Sequence, residues 1–287
     1  MDDKTKGWLN GAAGVAIFSG SLPATRVAVL GFDPLFLTGA RATLAGALAA
    51  ALLAALRERR PGPADLAALA AVALGVVVGF PLFSALALQH MSAAHSLVFI
   101  GLLPLATAAF GVLRGGERPR PLFWLFALAG SALVAGFAWV RGGGGLSTGD
   151  LWMLAAVLVC GFGYAEGGRL SRTLGGWPVI AWALTLALPV MLPWMILTLP
   201  ANLAAVPPSA WAGLGYVTLF SMLIGFIFWY RGLALGGIAA VGQLQLFQPL
   251  LGLGLAALLL GERVDLATLG VTVGVILCVA GARSVTR

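Results

Sequence analysis

Ser92–Arg118 reads SAAHSLVFIGLLPLATAAFGVLRGGER, and a second stretch, Gly237–Arg263, reads GIAAVGQLQLFQPLLGLGLAALLLGER. Each passes through an apolar run to a proline, Pro104 or Pro249, and stops at Gly-Glu-Arg, residues 116–118 or 261–263. The two prolines and the two glutamates, Glu117 and Glu262, share one offset of 145, and Gly136 with Gly281 keeps it. Trp8 with Trp152 and Pro34 with Pro178 are each 144 apart. The chain is therefore two copies of one unit of about half its length.

Composition decides the solvent of this repeat. Of the 287 residues 60% are apolar and 9% are charged, and the mean hydropathy is +1.00. A water-soluble domain of that size needs more charged surface, whereas lipid demands apolar side chains on the outside as well as the inside. The 40 glycines suit close helix packing in a membrane. A net charge of +7 invites a nucleic-acid reading, but the cations sit in short clusters between apolar runs, which is the pattern of membrane topology. Cys160 and Cys278 each lie inside an apolar run, so neither a structural disulfide nor a metal set is expected, and no cofactor is implied. Asp2 and Asp3 precede the first apolar run and no small-residue cleavage site follows it, which reads as a retained span.

A span needs about 20 apolar residues to cross about 30 Å of hydrocarbon. On that measure the first half, residues 1–141, holds spans at about 8–27, 34–56, 66–88, 92–113 and 121–140. Residues 142–149 form a Gly-rich linker. The second half, 150–287, holds spans at about 151–168, 177–199, 209–230, 237–260 and 266–282. The fold class is an all-α integral membrane protein of ten transmembrane helices. With both termini on the cytoplasmic side, that side collects Lys4, Lys6, Arg57, Arg59, Arg60, Arg114, Arg118, Arg120, Arg169, Arg172, Arg231, Arg283 and Arg287. The opposite side keeps Arg26, Arg141 and Arg263. Five spans per unit is odd, so the second unit enters the membrane upside down. Secondary transporters use such inverted repeats for alternating access, with a central site exposed to each side in turn.

The order of motifs resembles the ten-helix drug/metabolite transporter superfamily of the EamA type. That family opens on Trp-Gly with Lys seven residues on, where this chain has Phe18-Ser19 and Arg26. It continues with a proline and an arginine seven residues later, here Pro34 and Arg41, and each repeat closes on a proline and Gly-Glu, here Pro104 with Gly116-Glu117 and Pro249 with Gly261-Glu262. The resemblance spans the whole chain and is greatest to the YddG-type exporters of aromatic and other neutral amino acids. It implies an exporter in the inner (plasma) membrane, with a small-molecule substrate and the lipid bilayer as partners, no nucleic acid, and a monomer or weak homodimer.

A zwitterionic substrate needs donors and acceptors along its path, because crossing hydrocarbon bare is prohibitive. Gln245 and Gln248 share a helix face beside Pro249, and an amide offers both a donor and an acceptor; either they meet substrate or they tie helices together. Gln243 points elsewhere and reads as structural. His95 and Phe99 share a face of the fourth span, where His95 could meet a carboxylate, respond to pH, or simply contact headgroups. Phe80, Phe83 and Ser84 on the third span, and Phe228, the repeat partner of Phe83, are candidates for a side-chain pocket. Trp229 and Tyr230 beside Arg231 read as an interfacial belt. Ser19 and Ser21 flank Gly20 where the first span can unwind, and Tyr164 aligns near Gly20 in the other half. Pro104 and Pro249 are expected to kink helices that rock between states.

Charged residues inside spans receive a structural reading first. Arg41 lies about 10 Å deep at about 1.5 Å per residue. It is expected to snorkel outward or pair with Asp33, with a carboxylate guide as the alternative. Glu166 is three residues before Arg169, as an ordinary helix pair requires; proton coupling through Glu166 or His95 is the alternative. Nothing resembles a Gly-x-Ser-x-Gly, His-Glu-x-x-His or paired-Asp motif, so an intramembrane enzyme is the weakest class. Cationic drugs would want a deep carboxylate, which the spans lack, and nucleotide sugars would want a more basic cavity.

Overall fold

In hydrocarbon every backbone N–H and C=O must bond within the protein, which leaves helices or a closed barrel. In the computed structural model, which describes residues 2–115, 121–141, 145–236 and 241–284, every regular element is a helix. Glu117 and the rest of 116–120, linker residues 142–144, the opening 237–240 of the ninth span and Arg287 lie outside the described residues, as do the side chains of Arg114, Arg141, Gln243 and Arg283.

The described helices group into ten segments, numbered as spans in chain order. Span 1 is Asp3–Ser19 and Ser21–Ala28, and span 2 is Pro34–Ala55. Span 3 is Pro63–Val72, a π-helical stretch Ala73–Gly79, and Phe80–His90. Span 4 is Ala93–Ile100 and Leu103–Gly115, and span 5 is Pro121–Arg141. Spans 6 and 7 are Thr148–Leu174 and Gly176–Leu197. Span 8 is Pro208–Gly215, a second π stretch Tyr216–Ile224, and Gly225–Gly236. Span 9 is a 3-10 stretch Gly242–Phe247 and then Gln248–Leu260, and span 10 is Leu266–Ser284. Spans 1, 3, 6 and 8 run well beyond the apolar stretches in the sequence. The N-terminal ends of spans 1, 3 and 6 are capped: Asp2 accepts from the Thr5 N–H, Asp65 from the Gly62 N–H, and Ser147 and Asp150 cap each other reciprocally.

Packing respects the duplication. Span 2 lies on span 7, span 4 on span 9 and span 5 on span 10, each against its own repeat partner. Span 1 lies on span 8 and span 3 on span 6, and exchanging the halves turns one of these pairs into the other. Glycine makes both exchanged contacts possible. A Cβ on Gly75 of span 3 would stand 2.8 Å from the Gly163 Cα of span 6, and one on Gly232 of span 8 would stand 2.6 Å from the Gly11 nitrogen of span 1. Backbones therefore touch where any side chain would hold them apart.

Contacts also fix which loops share an end. At one end, Gly232 sits on Gly7 and Gly11, and Gly176 sits on the Tyr230 and Arg231 backbone. At the other, Arg26 of span 1 donates to the Leu88 carbonyl of span 3. There too His95 Nε2 of span 4 lies 3.0 Å from Asp150 Oδ1 of span 6, and Glu262 after span 9 accepts from the Ala93 and Ala94 N–H groups that open span 4. The first half thus begins at one end and the second at the opposite end, the inverted arrangement that an odd number of crossings requires.

Two expectations change. Trp229 and Tyr230 are not a belt: they are 2% and 0% exposed, because span 8 continues to Gly236 and leaves them inside the bundle. Pro104 and Pro249 do not bend continuous helices. Each occupies the first turn of a new helix, after a break at 101–102 or after the 3-10 stretch, where a missing N–H removes no bond.

Candidate substrate site

The breaks converge. Span 1 breaks at Gly20, spans 3 and 8 carry the π stretches, span 4 breaks at 101–102, and span 9 changes from 3-10 to α at Gln248. Around these points lies a cavity lined by Phe18, Ser21 and Leu22 of span 1, Arg41 of span 2, Val76 and Phe80 of span 3 and Leu103 of span 4. Cys160 and Tyr164 of span 6, Ser221, Met222 and Phe226 of span 8 and Gln248 of span 9 complete it. Irregular backbone at membrane depth is tolerated where it lines a cavity, because freed carbonyls and amides find polar partners there. At the Gly20 break the Ile17 carbonyl accepts both the Gly20 N–H and the Tyr216 hydroxyl, the latter at 2.8 Å. The space left for water-sized occupants is about 20 Å³, room for a single water or little more, so the centre is nearly closed.

Polar groups gather on one wall. Ser21 Oγ and Ser221 Oγ, from opposite halves, are 2.8 Å apart and hydrogen-bonded. The Arg41 guanidinium, 3% exposed, donates through Nη2 to Ser221 Oγ and to the Val217 carbonyl, each at a long 3.4 Å. Arg41 Nε has no partner in the protein, and among the described residues no carboxylate pairs with this guanidinium. Arg41 therefore neither snorkels nor meets Asp33, whose carboxylate instead caps span 2 by accepting from the Leu35 N–H at 2.7 Å. Gln248, which also lines the cavity, is buried with its Oε1 unpartnered, and Gln245, one 3-10 turn earlier, is buried with its Nε2 unpartnered. Such orphaned groups cost about 1–3 kcal/mol each, so the wall is primed for a polar guest.

Aromatic rings also line the cavity. Phe18 meets Phe226 edge-on at 4.9 Å, and Tyr164 meets Phe226 edge-on at 6.0 Å. Phe80 completes this surface. It offers ring faces and edges to an apolar side chain.

Five residues weighed in the sequence as substrate contacts, Ser21, Arg41, Phe80, Tyr164 and Gln248, come together here. The others do not line the cavity. Ser19 turns back to the Val15 carbonyl at 2.7 Å, and Ser84 to the Pro81 carbonyl at 3.2 Å. Phe83 stacks on Trp152 at 5.5 Å, and Phe228 is 37% exposed on the outer face. His95 sits at the loop end between Phe99, Phe137 and Asp150, with Phe99 buried beneath it. Glu166 is buried and accepts from Arg169 Nε and Nη2 at 3.2 and 3.0 Å. Phe18, Ser221 and Phe226 were not among the sequence candidates. The repeat offset carried a usable signal, since it pairs Leu103 with Gln248 and Val76 with Ser221, and all four line the cavity.

The EamA-like transporter profile matches this chain twice, over residues 5–139 and 147–287. The chain belongs to the EamA-like transporter family. Among its relatives, the uncharacterized transporter YdeK of Bacillus subtilis is 62% identical over 283 residues and covers 99% of each chain. A probable terminal-alkyne amino-acid exporter of Streptantibioticus cattleyicolor is 26% identical over 258 residues, 86% of this chain and 83% of that one. An uncharacterized transporter of Archaeoglobus fulgidus is 24% identical over 271 residues, 92% of each. A crystal structure with 21% identity matches the fold at a TM-score of 0.67 over 98% of this chain and 99% of its own. This EamA-family member is thus a multi-pass membrane transporter with the ten-helix fold, and not an enzyme.

Proposed function

We propose that this transporter exports neutral amino acids or closely similar metabolites across the inner membrane, with both termini in the cytoplasm. The halves 1–141 and 150–287, joined by 142–149, act as the two arms of an alternating-access machine. The observation that carries this reading is the cavity itself: both halves contribute to it, and it is lined by the polar residues Ser21, Ser221, Arg41 and Gln248 together with the rings of Phe18, Phe80, Tyr164 and Phe226. A zwitterion with an apolar side chain matches that division. The name of the Streptantibioticus relative supports the same class. In the nearly closed state an amino acid does not fit, so loading requires the halves to part at one end. Gln245 supports Gln248 from the preceding turn, and Pro104 and Pro249 mark where spans 4 and 9 hinge.

A lipophilic cation is the competing cargo, and the unpaired Arg41 disfavours it electrostatically. Flux in proteoliposomes containing only this protein tests the proposal, using radiolabelled neutral amino acids and a lipophilic cation, with and without a pH gradient. Amino-acid efflux that saturates is the expected result. Cation flux alone, or no flux of any solute, overturns it.

A further inference from the structure

We infer that Arg41, with Ser221 and Ser21, forms an anion subsite that binds the substrate's carboxylate, and that a carboxylate is therefore the obligatory part of the cargo. This rests on the reading of the same cavity as the transport site. The argument begins with charge. A guanidinium stays protonated in any protein environment, and a buried one without a counter-charge is costly to hold. Arg41 is 3% exposed and lines the cavity, and its Nε is unpartnered. Its two protein contacts, both at 3.4 Å, are longer than a strong charge-assisted bond. The donor fork is thus mostly unspent on protein acceptors and is aimed at the cavity.

The surroundings specify the anion. The Ser21–Ser221 hydrogen bond needs only one hydroxyl proton, so the second hydroxyl is free to donate to an anion held by Arg41. A planar carboxylate accepts two parallel N–H bonds from a guanidinium, and a hydroxyl can add a third. Gln248, with its Oε1 unpartnered on the ninth span, suits an ammonium. The site then distinguishes ligands by which ends they carry: the carboxylate anchors, the ammonium adds, and the rings of Phe80 and Phe226 take the side chain. A chloride ion would satisfy the same guanidinium, so the test separates the two anions.

The test is binding to the full-length protein in detergent, read as ligand-induced thermal stabilisation and by equilibrium dialysis. Four probes share one phenyl ring: L-phenylalanine, 3-phenylpropionate with the carboxylate alone, phenethylamine with the ammonium alone, and L-phenylalaninamide. Phenylalanine and phenylpropionate should bind at least about tenfold more tightly than the other two, as expected for a charged hydrogen bond. Arg41→Gln should erase that preference while the unliganded protein keeps its elution profile, and Arg41→Lys should keep part of it. Ser221→Ala, which retains the charge, should weaken carboxylate binding about threefold to tenfold. Equal binding of all four probes, binding of none, or a preference that survives Arg41→Gln overturns the inference. So does saturation by chloride that leaves no further response to carboxylates. If carboxylates bind through Arg41 but liposomes show no flux, the transport reading fails and the subsite stands. If amino acids move but the four probes bind alike, the subsite fails and the transport reading stands.

Discussion

Glu262 caps a helix that belongs to the other half of the repeat: its two carboxylate oxygens accept the Ala93 and Ala94 N–H groups at 2.9 and 2.7 Å. The first turn of span 4 has donors that no intrahelical carbonyl can take, and Ser92 satisfies another of them through His95 N–H. The Gly-Glu pair that ends the second repeated stretch is therefore an inter-repeat clamp. Glu262→Gln should lower thermal stability in detergent by about 1 kcal/mol, and Glu262→Ala by about 2 kcal/mol. Unaltered melting of both variants would assign the stability of span 4 to packing alone.

Removing the amide that faces the cavity should act on transport and not on folding. Gln248→Ala is expected to cut amino-acid flux about tenfold with unchanged yield and elution, since an unpartnered amide contributes little to the folded state but one or two bonds to a guest. Gln245→Ala should have a smaller effect of the same sign. Full flux in Gln248→Ala would remove this residue from the site.

Glycine contacts between the exchanged span pairs predict the reverse, a folding defect without a specific transport signature. Gly75→Val and Gly232→Val each place carbon inside 3 Å of opposing backbone, where no rotamer change gives relief. Each should destabilise by about 2–4 kcal/mol and sharply reduce the monodisperse peak in fluorescence-detected chromatography. Normal peaks for both would mean that the helices can shift apart cheaply.

Phe228 supplies the control. At 37% exposed it faces away from the cavity, so Phe228→Leu should leave flux and yield within about twofold of the parent. Phe226→Ala, two residues away and in contact with Phe18 and Tyr164, should lose most of its flux. Equal losses in the two variants would contradict the helical phase described for span 8.

The contrast between Phe226 and Phe228 shows where sequence reading stopped. Spans, their number and their duplication were legible, because apolar length and a repeat offset are properties of the chain alone. The cavity needed helical phase, and phase is broken by the π stretch Tyr216–Ile224, which is not announced by any residue pattern. The repeat offset that pairs Phe83 with Phe228 selected matching positions that both turn away from the centre. Arg41 was misread for a different reason. Its depth suggested escape to water, but the acceptors that hold it, Val217 O and Ser221 Oγ, lie in the other half and become visible only once span 8 packs on span 2. His95 likewise found Asp150 across the repeat boundary. Ser21, Tyr164 and Gln248 were found because each lies beside a break or glycine cluster visible in the sequence.

Among the described residues, the two ends of the bundle show different contacts between spans. One end is sealed by backbone lying on glycine, at Gly232 over Gly7 and Gly11 and at Gly176 under Tyr230. The other carries directional links between spans: Arg26 to Leu88, His95 to Asp150 and Glu262 to Ala93. Dispersion contacts between uncharged backbones respond weakly to ionic strength, whereas links that involve formal charge are screened by it. Salt on the side that bathes those links should therefore weaken them, while the glycine contacts described at the opposite end respond little.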